Sequence, residues 1–293
     1  ALEKFGATFY PQKKNYLPLQ LVSSNIPTGI DFVEKKGSAQ IVSSVSLAAI
    51  NSFGKTKIVQ EKISRNHTQI FLKKIGSDIY FKKSGAKNII EINGKKKLNN
   101  FKIEIPGDPS SAAFFTALTL LKKKSLLTIR NMGLNPTRIG FYELLKKHGA
   151  KIKIKNIRKK NNELVGDIFV KSSKIKPIKC GSSYYSRTVD EFPILFVISA
   201  LTEGISKFYG IEDLANKESN RILEMKNLLK KINIKCKSNK NSMKINGKKN
   251  YNFKNKLITV DPKLDHRICQ SASILALATG INIKIKNFQT VNT

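Results

Sequence analysis

GSAQIVSSVSLAAINSFG (residues 37–54) begins with a small polar cluster, continues as a run of small and apolar residues, and ends in a glycine. A polar start followed by such a run predicts a helix with a capped N-terminus, and a closing glycine is typical of a helix C-cap. Three further segments of the chain follow the same pattern. They are PGDPSSAAFFTALTLLKKK (106–124), VDEFPILFVISALTEG (189–204) and LDHRICQSASILALATG (264–280), with Gly204 and Gly280 matching Gly54 and with Lys124 in that place in the second segment.

Each predicted helix leads into a β-like run, and three of the four copies then continue into a second helix and a further strand. The segments end at residues 54, 124, 204 and 280, so the intervals between them are 70, 80 and 76 residues. These intervals are too long and too uneven for the common solenoid repeats. The sequence therefore predicts repeated compact α/β units of helix, strand, helix and strand. The β-like runs are KTKIVQ, SLLTIRN, SKFYGI and NIKIKN.

The two ends of the sequence fall inside this pattern. ALEKFGATFY at the start resembles the tail of a second helix entering its strand, and NFQTVNT at the end lies where the second helix of the fourth copy is due. We interpret the chain as an internal piece of a longer protein. We expect the piece to be inactive by itself.

The net charge of +34 first suggests a nucleic-acid-binding protein, because clustered cations bind a phosphate backbone by releasing counterions. The excess is almost wholly lysine, since only seven of the 54 basic residues are arginine, and it is spread over the whole chain. Proteins that read bases favour arginine, whose planar fork matches guanine edges and phosphates. We interpret the lysines as a solvated surface, and no nucleic-acid partner is predicted.

Membrane and metal chemistry have little support in the sequence. The longest apolar stretch, Phe192 to Leu201, is about half as long as a membrane span. Cys180, Cys236 and Cys269 are far apart and form no metal-ligand pair. We therefore predict a cytoplasmic protein without a structural metal site.

Four of the seven arginines occupy turn or helix-start positions of the repeats. Two of them are equivalent, since each precedes its closing glycine, Gly76 or Gly149, by 11 residues. In a chain that uses lysine for general purposes, an arginine at such a place indicates a bidentate contact to a phosphate or carboxylate. The alternative is an ion pair that ties a helix to a neighbouring carboxylate. The four residues are Arg65, Arg138, Arg221 and Arg267.

Two helix starts have polar residues that are open to two interpretations. In GSAQ, backbone N–H groups could face an anion while Ser38 and Gln40 add side-chain donors, although a serine there is usually an N-cap. Asp190 and Glu191 stand directly before the apolar helix of the third copy, and one of them is expected to cap it.

Two further motifs are charged. In NKESNR, the i, i+4 spacing of Lys217 and Arg221 predicts two cations on one helix face with an anion near them, and Glu218 beside them could exchange a proton. In LDHRI, the triple at 265–267 opens another helix, and Arg267 would face the same space if the repeats are related by rotation.

Taken in order, these motifs resemble the EPSP synthase family, the 3-phosphoshikimate 1-carboxyvinyltransferases, over essentially the whole chain. The GSAQ form resembles the class II bacterial branch. The resemblance implies an α/β (α+β) fold of two domains, each built from βαβαββ units, with the substrates in the cleft between them. It implies that residues 1–104 are the later part of the N-terminal-side domain, on the shikimate-3-phosphate side, and that residues 105–293 are most of the second. The motifs are GSAQ (37–40), SRNHT (64–68), PGDPSSAAFF (106–115), GLNPTRIGFYELLKKHGAKI (133–152), VDEFPIL (189–195), NKESNRI (216–222) and LDHRI (264–268).

The resemblance also implies an activity. EPSP synthases transfer the enolpyruvyl group of phosphoenolpyruvate to the 5-hydroxyl of shikimate-3-phosphate through a tetrahedral intermediate and release phosphate, a step toward chorismate and the aromatic amino acids. The implied partners are these two small molecules, the implied oligomeric state is a monomer, and no cofactor is implied.

Matched motif by motif, the resemblance assigns roles to individual residues. Asp190 would be the proton acceptor and Glu218 the carboxylate that transfers a proton at the methylene carbon. The shikimate-3-phosphate ligands would be Ser38, Ala39, Gln40, Arg65, Asp190 and Lys217, and the phosphoenolpyruvate ligands would be Gln40, Arg221 and Arg267.

Two alternatives remain open at this point. The sister UDP-N-acetylglucosamine enolpyruvyl transferases share the fold and chemistry but use a loop cysteine that would lie near residue 1 or upstream. A basic nucleic-acid-binding module would instead show a continuous lysine stripe with interleaved aromatic residues, whereas a transferase would bring arginines and acidic residues together.

Overall fold

The computed structural model of the protein describes residues 1–13, 16–249 and 257–292. The chain divides into two compact units. Unit 1 contains residues 1–105 and 160–163, and unit 2 contains residues 106–159 and 164–293. This division lies beside the boundary at residues 104 and 105 that the resemblance implies. The roles assigned to the two segments remain predictions.

Unit 1 contains a four-stranded sheet, two helices and a separate hairpin. The hairpin pairs its two strands antiparallel, and the sheet order is third, fourth, sixth and fifth strand along the chain. In that sheet the first pair is parallel and the other two pairs are antiparallel. The elements are β1 (Thr8–Lys13), β2 (Tyr16–Val22), β3 (Asp31–Glu34), α1 (Ala39–Ile50), β4 (Lys55–Gln60), α2 (His67–Lys74), β5 (Asp78–Ser84) and β6 (Lys87–Asn93).

From residue 106 onward the chain forms a three-stranded, a four-stranded and a two-stranded sheet together with six α-helices in its described part. The elements are α3 (Pro109–Leu121), β7 (Leu126–Gly133), α4 (Gly140–Lys147), β8 (Lys151–Lys160), β9 (Glu163–Lys171), β10 (Lys179–Cys180), α5 (Tyr185–Thr188), α6 (Phe192–Ala200), β11 (Gly204–Tyr209), α7 (Arg221–Lys231), β12 (Lys235–Ser238), β13 (Ser242–Gly247), β14 (Leu257–Val260), α8 (His266–Thr279) and β15 (Asn282–Ile285).

The predicted repeat is confirmed by the order of the strands. The sheets β3-β4-β6-β5 and β10-β11-β13-β12 have the same order, and each begins with a parallel pair. In the second copy the order is β7-β9-β8, and a parallel bridge between Gly107 and Met132 stands where the first strand would pair. The fourth copy contributes the parallel pair β14-β15 around α8. These are βαβαββ units, as the resemblance implies.

Helix α6 lies at the centre of unit 2. Every residue from Phe192 to Ala200 is buried, and the helix packs against α3, α7 and α8. A helix that is apolar all round must be covered on every face. Each large apolar side chain that is buried contributes about 1.5–3 kcal/mol to folding. The core of unit 2 is therefore organised around this helix.

The glycines expected to cap three helices have different roles. Gly280 is the left-handed C-cap of α8, as predicted. The prediction is wrong for Gly54 and Gly204, because α1 has its C-cap at Asn51 and α6 at Leu201. Lys124, which stands in that place in the second copy, lies two residues beyond Lys122, the C-cap of α3. In the first and third copies the helix ends a few residues before the glycine, and the chain turns into the next strand.

Two other glycines explain how the last strand of the repeat approaches the first helix. A Cβ at Gly94 would lie 1.9 Å from the carbonyl oxygen of Ser52, and a Cβ at Gly247 would lie 2.0 Å from the oxygens of Ser199 and Thr202. Gly94 directly follows β6 and Gly247 ends β13, which are the last strands of the first and third repeats. Each glycine contacts backbone at the end of the first helix of its repeat, α1 or α6. No side chain fits at either position, so the repeat requires glycine there.

We expect Gly247→Ala to destabilise the protein by about 2–3 kcal/mol, because the methyl group would overlap backbone atoms that cannot rotate away. Urea unfolding of the two proteins measures this difference. Gly181→Ala is the matched control, since a Cβ at Gly181 meets nothing within 4 Å. Equal stability losses in the two variants would show that this close approach is not a requirement of the fold.

Candidate active site

The start of α6 presents two carboxylates in different surroundings. Asp190 is partly exposed, and its Oδ1 lies 3.6 Å from Arg221 Nη1. Glu191 is 1% exposed and accepts a hydrogen bond from the Ser110 hydroxyl. Glu191 occupies the N-cap position, yet its side chain does not cap the helix. The sequence-based expectation of a capping role is therefore wrong for Glu191.

Arg221 is the first residue of α7 and is 1% exposed. Its Nε donates to Asp265 Oδ2 at 2.9 Å, and its Nη2 donates to Glu218 Oε2 at 2.7 Å. Burial lowers the pKa of Arg221, but the hydrogen bond and charge of Asp265, with smaller effects of Glu218 and Asp190, raise it above its usual value. The guanidinium is thus a permanent buried cation surrounded by carboxylates.

Asp265 links the starts of α7 and α8. It is fully buried, and as the N-cap of α8 its Oδ1 accepts from the backbone N–H of Arg267 at 2.9 Å. Its other oxygen, Oδ2, accepts from the Ser219 hydroxyl and from Arg221. One carboxylate therefore caps a helix and holds a charged side chain of the neighbouring helix in a single orientation.

The side chain of Arg267 extends over α3. The centre of its guanidinium group lies 5.7 Å from the centre of the Phe114 ring, an arrangement that favours a cation–π interaction. Its Nε is buried and has no hydrogen-bond partner among the described residues, and the same holds for Nη1 of Arg221. Buried N–H groups are nearly always paired in proteins, so these two donors suit an anionic ligand.

His266 directly precedes Arg267, and its pKa depends on the charged groups around it. Burial and the charge of Arg267 lower its pKa, and Asp265 and Glu218 partly oppose this effect. The imidazole is therefore neutral near pH 7. A neutral ring leaves the positive charge of this region to the arginines.

Lys217 does not lie on the same helix face as Arg221. It has an extended backbone conformation before α7, and its Nζ lies 3.2 Å from Asp213 Oδ2. The predicted pair of cations on one helix face is wrong, because α7 begins only at Arg221. Glu218 is also outside the helix, with 48% of its side chain exposed. It contacts solvent on one side and Arg221 on the other.

In unit 1, the GSAQ segment has a different arrangement from the predicted one. The backbone N–H groups of Lys36, Gly37 and Ser38 donate to the buried carboxylate of Glu34. The N–H groups of Gly37 and Ser38 are therefore not available to an anion in this conformation, and the prediction is wrong for these two of the four GSAQ residues. Ser38 itself is the N-cap of α1, with Oγ accepting from Ile41 N.

The other predicted residues of unit 1 lie near this segment in sequence or at the next helix. Ala39 is the first residue of α1 and is half-buried, whereas Gln40 is exposed. Arg65 is half-buried and precedes α2 by two residues. The hydroxyls of Ser43 in α1 and Thr68 in α2 are hydrogen-bonded at 2.7 Å, which ties the two helices together.

Comparison with known proteins identifies the family of the chain. A family profile described as EPSP synthase (3-phosphoshikimate 1-carboxyvinyltransferase) matches residues 1–293. The 3-phosphoshikimate 1-carboxyvinyltransferase of Persephonella marina is 38% identical over 96% of this chain and 64% of its own length. That of Zymomonas mobilis is 33% identical over 100% of this chain and 65% of its own length. The chain belongs to the EPSP synthase family.

Solved structures support the same fold. The EPSP synthase of Acinetobacter baumannii superposes with a TM-score of 0.85 at 31% identity, covering 99% of this chain and 66% of that one. The enolpyruvyl transferase NikO of Streptomyces tendae superposes with a TM-score of 0.75 at 13% identity, which shows a shared fold alone. The chain spans about two thirds of the length of the EPSP synthases it matches.

Within unit 2 the structure brings together three of the residues predicted from the family motifs, Asp190, Glu218 and Arg221. Asp265 was not among the predicted ligands, although an aspartate directly before a helix is a recognisable N-cap signal. Glu34 had no sequence signal, because it ends a strand and acts only through the turn that follows it.

The structure also bears on metal sites and membrane-spanning helices. In residues 1–13, 16–249 and 257–292, no group of three or more His, Cys, Asp or Glu side chains is placed to hold a metal ion. None of the helices in these ranges combines the length and apolar character needed to cross a membrane.

We expect Asp265→Asn to destabilise the protein by about 3–5 kcal/mol, because it removes one charge of a buried ion pair and leaves Arg221 incompletely neutralised. Urea unfolding at pH 7 measures the change. Asp261→Asn is the control, since Asp261 pairs with Lys263 at the surface and a much smaller loss is expected. Equal losses in both variants would show that Asp265 is not a principal support of Arg221.

Proposed function

We propose that the full-length gene product containing these residues is a 3-phosphoshikimate 1-carboxyvinyltransferase. It transfers the enolpyruvyl group of phosphoenolpyruvate to the 5-hydroxyl of shikimate-3-phosphate and releases phosphate. The observation that carries the proposal is the buried cation Arg221, which forms ion pairs with Asp190 and Glu218 and whose Nη1 makes no hydrogen bond to the described residues. Membership of the EPSP synthase family supports this reaction for such an arrangement.

The charges of the substrates explain the need for arginines. Both substrates carry several negative charges, so bringing them together requires fixed cations with donors aimed at the oxygens. Arg221 and Arg267 are the proposed phosphoenolpyruvate ligands in unit 2. Asp265 restrains the guanidinium of Arg221, and Phe114 contacts that of Arg267, so little conformational entropy is lost when an anion binds.

Asp190 and Glu218 have the surroundings that their proposed roles require. Arg221 places a positive charge beside Asp190, which suits Asp190 to accept the proton of the 5-hydroxyl as that oxygen bonds to C2 of phosphoenolpyruvate. Glu218 is half exposed, so it can exchange protons with solvent. It would donate a proton to the methylene carbon in the addition and take one back when the C–O bond to phosphate breaks.

Unit 1 would contribute to shikimate-3-phosphate binding. The proposed ligands there are Ser38, Ala39, Gln40 and Arg65, with Gln40 also touching phosphoenolpyruvate. Ser38 Oγ accepts a hydrogen bond from Ile41 N and keeps its own proton for donation. Because Glu34 holds the backbone N–H groups of the preceding turn, we propose that side chains, rather than that turn, bind the phosphate.

The proposal extends to partners and location. We propose a cytoplasmic monomer that acts on the two small molecules, with the lysine excess forming a solvated surface. The association of Arg221 with three carboxylates supports a transferase over a nucleic-acid-binding module, for which a lysine stripe was the expected sign.

Phosphate release by the purified full-length gene product tests the function. We expect release only when phosphoenolpyruvate and shikimate-3-phosphate are both present, with 5-enolpyruvylshikimate-3-phosphate detected by mass spectrometry. Omission of either substrate is the control. Turnover with UDP-N-acetylglucosamine instead of shikimate-3-phosphate would assign the protein to the sister enzymes.

We expect Asp190→Ala to lower kcat by about 100-fold, in line with the contribution of a general base. Steady-state kinetics with both substrates measure the effect. The matched control is Glu203→Ala, which removes an exposed carboxylate beyond the other end of α6 and is expected to leave kcat unchanged. A kcat close to that of the wild type in Asp190→Ala would remove Asp190 from the chemistry.

We expect Arg267→Lys to raise the KM for phosphoenolpyruvate about 10-fold while changing the KM for shikimate-3-phosphate much less. Lysine keeps the charge but loses the planar fork and its contact with the Phe114 ring. Initial rates with each substrate varied in turn give the two constants. The exposed Arg130→Lys is the control. If both KM values rise equally, Arg267 is not specific to phosphoenolpyruvate.

A further inference from the structure

A buried polar chain connects the start of α3 to the start of α6. Arg138 Nη2 donates to the Ser110 hydroxyl oxygen at 2.9 Å, and the Ser110 hydroxyl donates in turn to Glu191 Oε1. Ser110 is fully buried and Glu191 is nearly so. The hydroxyl thus transmits the polarisation of a guanidinium to a carboxylate. Hydrogen bonds arranged in such a chain strengthen one another.

The start of α3 holds this chain in place. Asp108 caps α3 through the backbone N–H groups of Ser110 and Ser111, and its Oδ1 accepts from Arg138 at 2.6 Å. The Tyr142 hydroxyl donates to the carbonyl of Pro109 in the same turn. Arg138 is therefore oriented by one carboxylate, and the Ser110 side chain has a single well-defined position.

The position of Glu191 is not the one that favours stability. At the N-cap of α6 a short polar side chain would satisfy the helix N–H groups. Glu191 instead directs its carboxylate into the interior, and burial of a charge costs free energy unless it is well paired. A residue that forgoes capping for a buried hydrogen-bonded position is expected where the orientation of its neighbour matters.

That neighbour is Asp190. The two adjacent side chains are linked to different arginines, Asp190 to Arg221 of α7 and Glu191 through Ser110 to Arg138 before α4. The segment formed by residues 190 and 191 is thus held from two sides. A proton acceptor must be held closely, since a shift of about 1 Å can lower a rate by about 100-fold.

We propose that Glu191 is a positioning residue, held by Ser110 and Arg138, that fixes Asp190 beside Arg221 for proton transfer. The inference rests on the proposed function for the role of Asp190. It makes α3 a support for both parts of the site in unit 2, because α3 carries Ser110 in its first turn and Phe114, over which Arg267 lies, in its second.

The kinetic test uses the full-length gene product and its Ser110→Ala, Glu191→Ala and Glu191→Gln variants. We expect Ser110→Ala and Glu191→Ala each to lower kcat about 10- to 100-fold with a smaller change in the KM for phosphoenolpyruvate. The double alanine variant is expected to be no slower than Glu191→Ala, since both changes break one chain. Glu191→Gln keeps an oxygen that accepts from Ser110 and is expected to recover most of the kcat.

The control is Ser199→Ala, which removes a fully buried hydroxyl near the other end of α6. We expect it to keep the kcat of the wild type even if it lowers thermal stability. A purely structural role for Glu191 would lower the melting temperatures of the alanine variants without lowering their kcat. Unchanged kcat in Glu191→Ala, or effects of Ser110→Ala and Glu191→Ala that multiply, would overturn the proposal.

Crystal structures of the Glu191→Ala and Glu191→Gln variants separate this inference from the proposed function. We expect the distance from Asp190 Oδ1 to Arg221 Nη1, 3.6 Å here, to increase by about 1 Å or more in Glu191→Ala and to be kept in Glu191→Gln. An inactive wild type would refute the proposed function, and the distance alone would then decide the inference. An unchanged distance in Glu191→Ala would refute the positioning role.

Discussion

A helix that is apolar on every face stabilises unit 2 only when other elements cover it completely. Helix α6 meets this condition by packing against α3, α7 and α8. The polar residues of the repeats lie at helix starts, and the packing links those starts. Glu191 before α6 contacts Ser110 of α3, and Asp190 contacts Arg221 of α7. The burial of one apolar helix therefore brings the charged residues of four segments together.

The central electrostatic feature is the buried guanidinium of Arg221. Burying an isolated cation is very costly, and the structure offsets this cost with hydrogen bonds from Arg221 to Asp265 and Glu218 and with the nearby charge of Asp190. These carboxylates keep the arginine charged and restrict its orientation. In return, the arginine places its positive charge beside Asp190. The same set of interactions thus serves stability and the proposed proton transfer.

In unit 1, the GSAQ motif predicts only part of the local structure. The GSAQ pattern correctly predicts that a helix begins at this point, and Ser38 is its N-cap. The pattern could not reveal that Glu34, four residues earlier at the end of β3, accepts hydrogen bonds from the preceding turn. A short-range motif describes which groups are available, whereas their partners depend on how strand and turn meet in space.

The sequence by itself determined the elements and their repetition, because helix starts, small-residue helices and β-like runs follow from local propensity and periodicity. It also placed Asp190, Glu218, Arg221 and Arg267 in motifs of the family. Only the tertiary structure decided which partners these residues have. Lys217 pairs with Asp213 rather than sharing a helix face with Arg221, and Glu191 enters a buried chain instead of capping α6. The physical reason is that interactions between distant residues, such as Ser110 with Glu191 and Arg221 with Asp265, which are 81 and 44 positions apart, depend on the packing of helices around α6. Local sequence does not encode that packing.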